Sequence, residues 1–248
     1  MSRISAAKIL CFGALLVASC SDMPRQSTLL LDAPGEPRGQ QAVVRSDAVS
    51  PRTVDEGVRR ESMPPEQIVE IVRKYSKRYA LDWRLVLSVI VGESRFQTGA
   101  RSNRGAFGLM QLMPTTGKSI ATTLGLDSVE APRDNIAAGI YYLWRLSLLF
   151  DGAVGMDRAK LMIAAYNAGP GRVLDAQDVV RYLGEDPANW ESVRGSLPLL
   201  APQFSTLHQD VWGTPRPRNG FFKNGDGTAD YVERVARTYE EYLLKFPL

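Results

Sequence analysis

The segment that decides the fold covers residues 83–96 and reads WRLVLSVIVGESRF. Most of it is apolar, which predicts a buried helix, and Asp82 directly before it is a suitable N-cap. Glu93 closes this helix beside the apolar residues 89–91. A carboxylate in that place loses hydration, which raises its pKa, and the negative end of the helix dipole acts in the same direction. Taken alone, however, a glutamate at a helix end is more often solvated, so both interpretations stand at this point.

Helical patterns continue on both sides of this segment, and few stretches alternate with a period of two. Pro114 fits the first turn of a helix that ends near Gly125. Asp134 and Asp157 are candidate N-caps of two more helices. The sequence therefore predicts a mainly α fold. The expected helices are residues 66–80, 83–93, 114–125, 134–150, 158–168 and 228–245.

The N-terminus carries the features of an export signal. Residues 9–18 form an apolar run that is too short to span a bilayer and suits the core of a signal peptide. The small residues 17–19 before Cys20 resemble the lipobox of bacterial lipoproteins, which implies cleavage before Cys20 and lipid attachment to it. Ser21 after the cysteine favours the outer membrane. The alternative is ordinary secretion with a free Cys20.

The next forty residues have the composition of a tether. Residues 20–62 contain four prolines among Ser, Gln, Arg, Gly and Asp and show no sustained period. The predicted organisation is a signal peptide over residues 1–19, a lipid-anchored linker over 20–62 and one helical domain over 63–248. We therefore expect the domain on the periplasmic side of the cell envelope, held to a membrane through its lipid.

Composition argues against several classes of site. The formal net charge of +3 comes from scattered lysines and arginines, so no nucleic-acid interface is expected. The two cysteines, Cys11 and Cys20, both precede the predicted domain, and its single histidine, His208, lies in a polar stretch. A metal site, a cofactor and a Ser-His-Asp triad are thus not expected. We expect His208 to be a surface or loop residue.

Four motifs follow one another through the predicted domain, and each alone would be an ordinary turn or core segment. Together, in this order and spacing, they resemble the soluble-lytic-transglycosylase (SLT) catalytic domain, which has a lysozyme-like fold. The resemblance covers residues 63–175, and parts of 186–200 and 231–232 resemble the membrane-bound lytic transglycosylase F group, whereas 207–224 match it poorly. The motifs are ESRF at 93–96, GAFGLMQLMP at 105–114, NIAAG at 135–139 and AAYNAGPG at 164–171.

The resemblance implies roles for individual residues. Glu93 matches the catalytic acid/base of the family, and Tyr231 matches a tyrosine that approaches it from the last helix. The other matching residues are expected to bind the sugar. These are Ser102, Gln111, Met113, Tyr166 and Asn167.

The implied reaction cleaves peptidoglycan glycan strands between N-acetylmuramic acid and N-acetylglucosamine. Glu93 protonates the glycosidic oxygen, and the muramic acid C6 hydroxyl then attacks C1 and forms a 1,6-anhydro ring without water, metal or cofactor. Two alternatives remain open. One is a hydrolytic muramidase on the same fold, with Asp127 or Asp134 as a second carboxylate. The other is a catalytically silent lipoprotein that binds peptidoglycan and acts as a scaffold.

Overall fold

A computed structural model describes residues 63–247 of the chain. Within that range the regular structure is helical, and its only β-type pairings are two isolated bridges in the loop of residues 101–112. No helix in the described part is long and apolar enough to cross a membrane. The predicted mainly α fold is confirmed. The α-helices are α1 (Pro65–Arg78), α2 (Trp83–Ser94), α3 (Pro114–Leu124), α4 (Pro132–Ser147), α5 (Gly155–Ala168), α6 (Pro170–Tyr182), α7 (Trp190–Ser196), α8 (Ser205–Trp212) and α9 (Gly225–Lys245).

Local signals set several helix ends correctly. The Asp82 side chain accepts the backbone N–H of Arg84 at 2.9 Å and so caps α2. Pro114 is the first residue of α3, and Gly125 ends that helix with a left-handed φ of 65°.

Two predicted caps are wrong. Helix α4 begins at Pro132, whose fixed φ suits a first helical residue, so Asp134 lies inside the first turn and does not cap it. Helix α5 begins at Gly155, two residues before Asp157. Asp157 instead accepts the backbone N–H of Trp190 at 2.9 Å and thereby ties α5 to the start of α7.

Helix α2 lies in the core, and α9 packs antiparallel along it. Every residue from Arg84 to Ile90 is buried. At the N-terminal end of α2, Asp82 accepts a hydrogen bond from the hydroxyl of Tyr239 at 2.9 Å, and Arg84 donates to the carbonyl of Phe246 at 2.8 Å. Because both contacts come from the C-terminal half of α9, the first half of α9 lies beside the other end of α2, where Glu93 is.

The poorly matching segment 207–224 is docked against α6. The backbone and side-chain amides of Asn219 donate to Asp175 at 2.8 and 2.9 Å, and the indole of Trp212 donates to Asp178 at 3.1 Å. Asp175 is 1% exposed, and this burial is the main reason why the pKa of its carboxyl group is raised. The segment therefore packs against α6 at Asp175 and Asp178.

The prediction that His208 is a surface or loop residue is wrong. His208 belongs to α8 and is fully buried. Its Nε2 lies 2.8 Å from the carbonyl oxygen of Leu199, and its ring packs beside Trp212 and Phe221. The polar residues around it in the sequence face outward from a short helix, whereas His208 faces inward.

Candidate active site

The centre of the candidate site is the pair formed by Glu93 and Tyr231. Glu93 is partly buried near the end of α2, and the hydroxyl of Tyr231 on α9 donates to its Oε1 at 2.5 Å. Burial raises the pKa of Glu93 from 4.5 to about 7, although the hydrogen bond from Tyr231 acts in the opposite direction. Since Oε1 accepts from Tyr231, a proton that Glu93 carries for transfer belongs on Oε2.

The chain turns sharply directly after Glu93. Arg95 ends α2 in the left-handed region with φ 50°, and Phe96 follows with φ 64°. Both are uncommon for residues with a side chain. These two residues end the helix directly after Ser94. Glu93 therefore lies in the last turn of α2 rather than in the middle of the helix.

A glycine allows the two helices to approach each other at this point. A Cβ at Gly92 would lie 3.1 Å from Cγ2 of Val235 and 3.4 Å from Cε2 of Tyr231, both on α9. Because Gly92 has no side chain, α9 can approach α2 closely enough for the Tyr231 hydroxyl to reach Glu93.

The loop of residues 100–113 holds three of the predicted binding residues. Ser102 is exposed, and its Oγ accepts the N–H of Ala106 at 3.0 Å. The side-chain amide of Gln111 donates to the carbonyls of Ala100 at 3.0 Å and Gly108 at 2.9 Å. Met113, 38% exposed, directly precedes α3.

Within this loop, the Gln111 amide nitrogen braces the backbone, which leaves its Oε1 as the polar atom that can meet a ligand. In the described range, no hydrogen bond joins Glu93 to Ser102 or Gln111. Their proposed contribution is thus to the shape and polarity of the cleft and not to the state of the acid.

Asn135 holds this loop in place, a role that the sequence reasoning missed. Its fully buried side chain accepts the N–H of Met110 at 2.8 Å and donates to the carbonyls of Phe107 and Val129 at 3.1 Å each. Gly108, with φ 80°, has no room for a Cβ, which would lie 2.5 Å from Nδ2 of Asn135. A polar residue at the start of the apolar run 135–140 was the signal that could have revealed this contact.

Tyr166 on α5 binds the loop and lies close to the acid. Its hydroxyl donates to the carbonyl of Met110 at 2.6 Å, and its ring lies 5.5 Å from that of Tyr142. Burial raises its pKa well above 10, and the charge of the nearby Glu93 adds to the effect. The backbone of Met110 is therefore held on both sides of its Cα, by Asn135 at the N–H and by Tyr166 at the carbonyl.

Asn167, the next residue, is exposed, and its Oδ1 accepts a hydrogen bond from the hydroxyl of Thr228 on α9 at 2.9 Å. Of the predicted site residues, the structure thus joins Glu93 to Tyr231 directly and ties Tyr166 and Asn167 to neighbouring elements, whereas Gln111 bonds within its own loop. Cys20 lies outside the described residues.

Within residues 63–247, no second carboxylate belongs to this centre. The influences on the pKa of Glu93 are burial and the Tyr231 hydrogen bond, and no neighbouring acid is among them. Asp127 is exposed after α3, and Asp134 lies in the first turn of α4. In the same range, no group of three or more His, Cys, Asp or Glu side chains could hold a metal ion.

Comparison with known families agrees with this arrangement. Residues 70–187 match the family model described as the transglycosylase SLT domain. This segment belongs to the SLT domain family. The resemblance noted in the sequence motifs is thereby confirmed, and the SLT segment contains Glu93, the 105–113 loop, Asn135 and Tyr166.

The SLT domain has relatives among curated proteins. A membrane-bound lytic murein transglycosylase F of Desulfosudis oleivorans is 33% identical over 172 residues, which are 68% of this chain and 35% of that protein. The corresponding protein of Vibrio campbellii is 30% identical over 174 residues, 70% of this chain and 30% of that protein. The chain thus matches about a third of the length of these relatives.

A solved structure shares the fold of the SLT domain. An inactive glutamate-to-glutamine mutant of the lytic transglycosylase Slt from Pseudomonas aeruginosa is 28% identical with a TM-score of 0.51, over 73% of this chain and 24% of that one. The predicted lysozyme-like fold of the SLT family is therefore confirmed.

Proposed function

We propose that this chain is a lytic transglycosylase that cleaves peptidoglycan glycan strands between N-acetylmuramic acid and N-acetylglucosamine and leaves 1,6-anhydro ends. The observation that carries the proposal is the environment of Glu93, whose pKa of about 7 makes it a proton donor at neutral pH. Membership of residues 70–187 in the SLT family and relatives named as lytic murein transglycosylases support the same reaction.

In the proposed reaction, the proton on Oε2 of Glu93 passes to the glycosidic oxygen as the bond from that oxygen to C1 of the muramic acid breaks. The resulting carboxylate takes the proton of the C6 hydroxyl while O6 forms a bond to C1. Glu93 is then protonated again, and no water has been consumed. Intramolecular attack is favoured entropically, so a second carboxylate to activate water is unnecessary.

The cleft residues have supporting roles in this proposal. Tyr231 orients the acid through its hydrogen bond, and Tyr166 fixes the carbonyl group of Met110 in the loop of residues 100–113. Asn167, Gln111, Ser102 and Met113 line the sugar subsites. All of these roles can be tested by single substitutions.

The anchoring is proposed as well. Residues 1–19 are a signal peptide, Cys20 is the lipid attachment site, and residues 20–62 are a tether to the catalytic domain of residues 63–248. The N-terminal part lies outside the described residues. On this proposal the enzyme acts in the periplasm from a lipid anchor in the outer membrane, and its partners are peptidoglycan and that membrane.

The test is digestion of purified peptidoglycan by the full chain, with the Glu93→Gln variant alongside and mass spectrometry of the released muropeptides. Gln keeps the size of Glu93 and an oxygen that can accept from Tyr231, but it has no proton to donate. We expect anhydro products, lighter than hydrolysed ones by one water molecule, from the parent chain alone.

Other outcomes assign other functions. Products with a free reducing end would mean a hydrolytic muramidase on this fold. Binding of peptidoglycan by both chains without product would mean a binding scaffold. Lipid attachment is checked separately, since a Cys20→Ala variant should lose the acyl mass and leave the membrane fraction.

A further inference from the structure

Helix α9 contacts the candidate site twice, through two residues on one face. Tyr231 donates to Glu93, and Thr228, three residues earlier, donates to Oδ1 of Asn167 at 2.9 Å. Residues three apart on a helix are neighbours on its surface. The same helix face therefore supplies the partner of the acid and the partner of Asn167.

The two groups of this second contact have different environments. Thr228 is fully buried, so its hydroxyl has no access to water and the bond to Asn167 satisfies it. Asn167 is exposed, and no hydrogen bond of its Nδ2 is recorded within residues 63–247. The carbonyl end of the amide is thus occupied by the protein, and its two N–H groups are free to meet a ligand.

An asparagine amide can rotate by half a turn, which exchanges its donor and acceptor ends. A hydrogen bond that a buried hydroxyl donates to Oδ1 opposes this rotation. The rotated amide could still donate an N–H to the Thr228 oxygen, but the buried hydroxyl would lose Oδ1 as the acceptor of its proton. Thr228 therefore favours the orientation that leaves the N–H groups of Asn167 free.

We infer that Thr228 is a positioning residue that makes Asn167 a hydrogen-bond donor towards the cleft, selective for the acetamido carbonyl oxygen of an N-acetylated sugar. The inference rests on the proposed function, whose substrate carries an acetamido group on each ring. A neutral amide donor suits a neutral carbonyl acceptor, and Asn167 adjoins Tyr166, which lies close to Glu93.

The test uses steady-state kinetics of the full chain on soluble glycan strands. Thr228→Val keeps the shape of the buried side chain and removes its hydroxyl, whereas Thr228→Ser restores the hydroxyl. One oriented hydrogen bond corresponds to a change in KM of about threefold to tenfold. We expect that increase for Thr228→Val with kcat within about twofold of the parent, and recovery of the parent KM in Thr228→Ser.

The matched control is Thr238→Val, which removes a threonine hydroxyl on the same helix that donates to the carbonyl of Arg234. It should leave KM unchanged. A double substitution shows whether Thr228 acts through Asn167. If it does, Thr228→Val should add no further increase in KM to an Asn167→Ala chain.

Asn167→Asp tests the polarity itself, because it keeps an oxygen for Thr228 and replaces the free NH₂ by an oxygen. Its KM should rise at least as much as that of Asn167→Ala. An unchanged KM in Thr228→Val or Asn167→Asp overturns the inference, as does a Thr228→Val effect that persists in the Asn167→Ala chain. A parent chain that releases no product contradicts the proposed function instead.

Discussion

The hydroxyl of Tyr231 donates to Oε1 of Glu93 at 2.5 Å, across the contact between α9 and α2. These residues are 138 positions apart in the sequence. Burial of Glu93 raises its pKa, and the hydrogen bond lowers it, so that the balance lies at about 7. One side chain therefore both orients the candidate acid and limits the rise of its pKa.

Removal of that hydrogen bond should raise the pKa of Glu93 above about 7. In a Tyr231→Phe chain, burial would act on the carboxyl without the opposing influence of the hydroxyl. Activity that requires protonated Glu93 falls as pH rises through this pKa, so the alkaline limb of the pH–activity profile should move to higher pH. The measurement is product release from peptidoglycan across the pH range.

Tyr239→Phe is the matched control. It removes another hydroxyl of α9 that donates to a carboxylate, that of Asp82, at the far end of α2. Its alkaline limb should coincide with that of the parent chain. A limb that stays in place or moves to lower pH in Tyr231→Phe would contradict the role given to this hydrogen bond.

Glu93→Gln should stabilise the folded chain at alkaline pH. The pKa of Glu93 is about 7 when folded, against an ordinary value of 4.5, so the folded state holds a proton that the unfolded state releases between these values. Stability from this group is fully present below pH 4.5 and is lost as pH rises to about 7. The shift corresponds to roughly 3 kcal/mol, and Gln avoids that loss.

Urea unfolding at alkaline and acidic pH measures this effect. Glu93→Gln should exceed the parent chain in unfolding free energy near pH 8, and the two should converge towards pH 4.5. Glu185→Gln, a change at an exposed glutamate, is the control and should follow the parent at both pH values. Equal stabilities of Glu93→Gln and the parent near pH 8 would mean that Glu93 is not desolvated.

Asn135→Ala should loosen the loop of residues 105–113. The substitution leaves the N–H of Met110 and the carbonyl of Val129 without their partner, whereas the carbonyl of Phe107 keeps its hydrogen bond from the N–H of Leu112. Buried backbone groups without hydrogen bonds are costly, and we expect a loss of roughly 2–4 kcal/mol in unfolding free energy. The specific readout is hydrogen exchange, in which the Met110 amide should lose protection.

Asn189→Ala is the comparison for this loop. It removes the N-cap of α7, where the Asn189 side chain accepts from the N–H of Ser192, and should cost about 1 kcal/mol. Exchange at Met110 should be unaffected. Retained protection of Met110 in Asn135→Ala would show that the loop is held by its own internal bonds.

Gly92→Ala should disturb the candidate acid through helix α9. The added Cβ would lie 3.1 Å from Val235 Cγ2, which is tight, so α9 must yield by a few tenths of an ångström. Because Tyr231 lies on the same face, its bond to Glu93 should weaken. We expect reduced product release and an alkaline limb that moves in the same direction as in Tyr231→Phe.

Gly195→Ala is the matched control, because it also replaces a glycine within a helix. A Cβ at Gly195 in α7 would meet nothing within 4 Å. Alanine is favoured over glycine in a helix by roughly 0.5–1 kcal/mol, so this variant should be more stable with unchanged activity. Activity equal to that of the parent chain in Gly92→Ala would show that α9 can accommodate the extra methyl group without weakening the bond between Tyr231 and Glu93.

Most of the helical framework was predictable, because its signals are local. The apolar run before Glu93, the Asp82 cap, Pro114 and Gly125 act within one or two turns of the chain. The predicted helix starts at Asp134 and Asp157 were wrong for two reasons. Pro132 begins α4 before Asp134, and Asp157 accepts the N–H of the distant Trp190 instead of capping α5.

Sequence by itself determined the mainly α class, the apolar character of the helix that carries Glu93 and the SLT motifs, since period and order are properties of the chain. Tertiary structure alone decided which polar groups meet. The Gln111 amide donates within its own loop, the Tyr166 hydroxyl donates to the Met110 carbonyl, Asn135 accepts the Met110 N–H, and His208 is buried. A hydrogen bond needs two groups within about 3 Å, and for residues far apart in the chain only packing brings them that close.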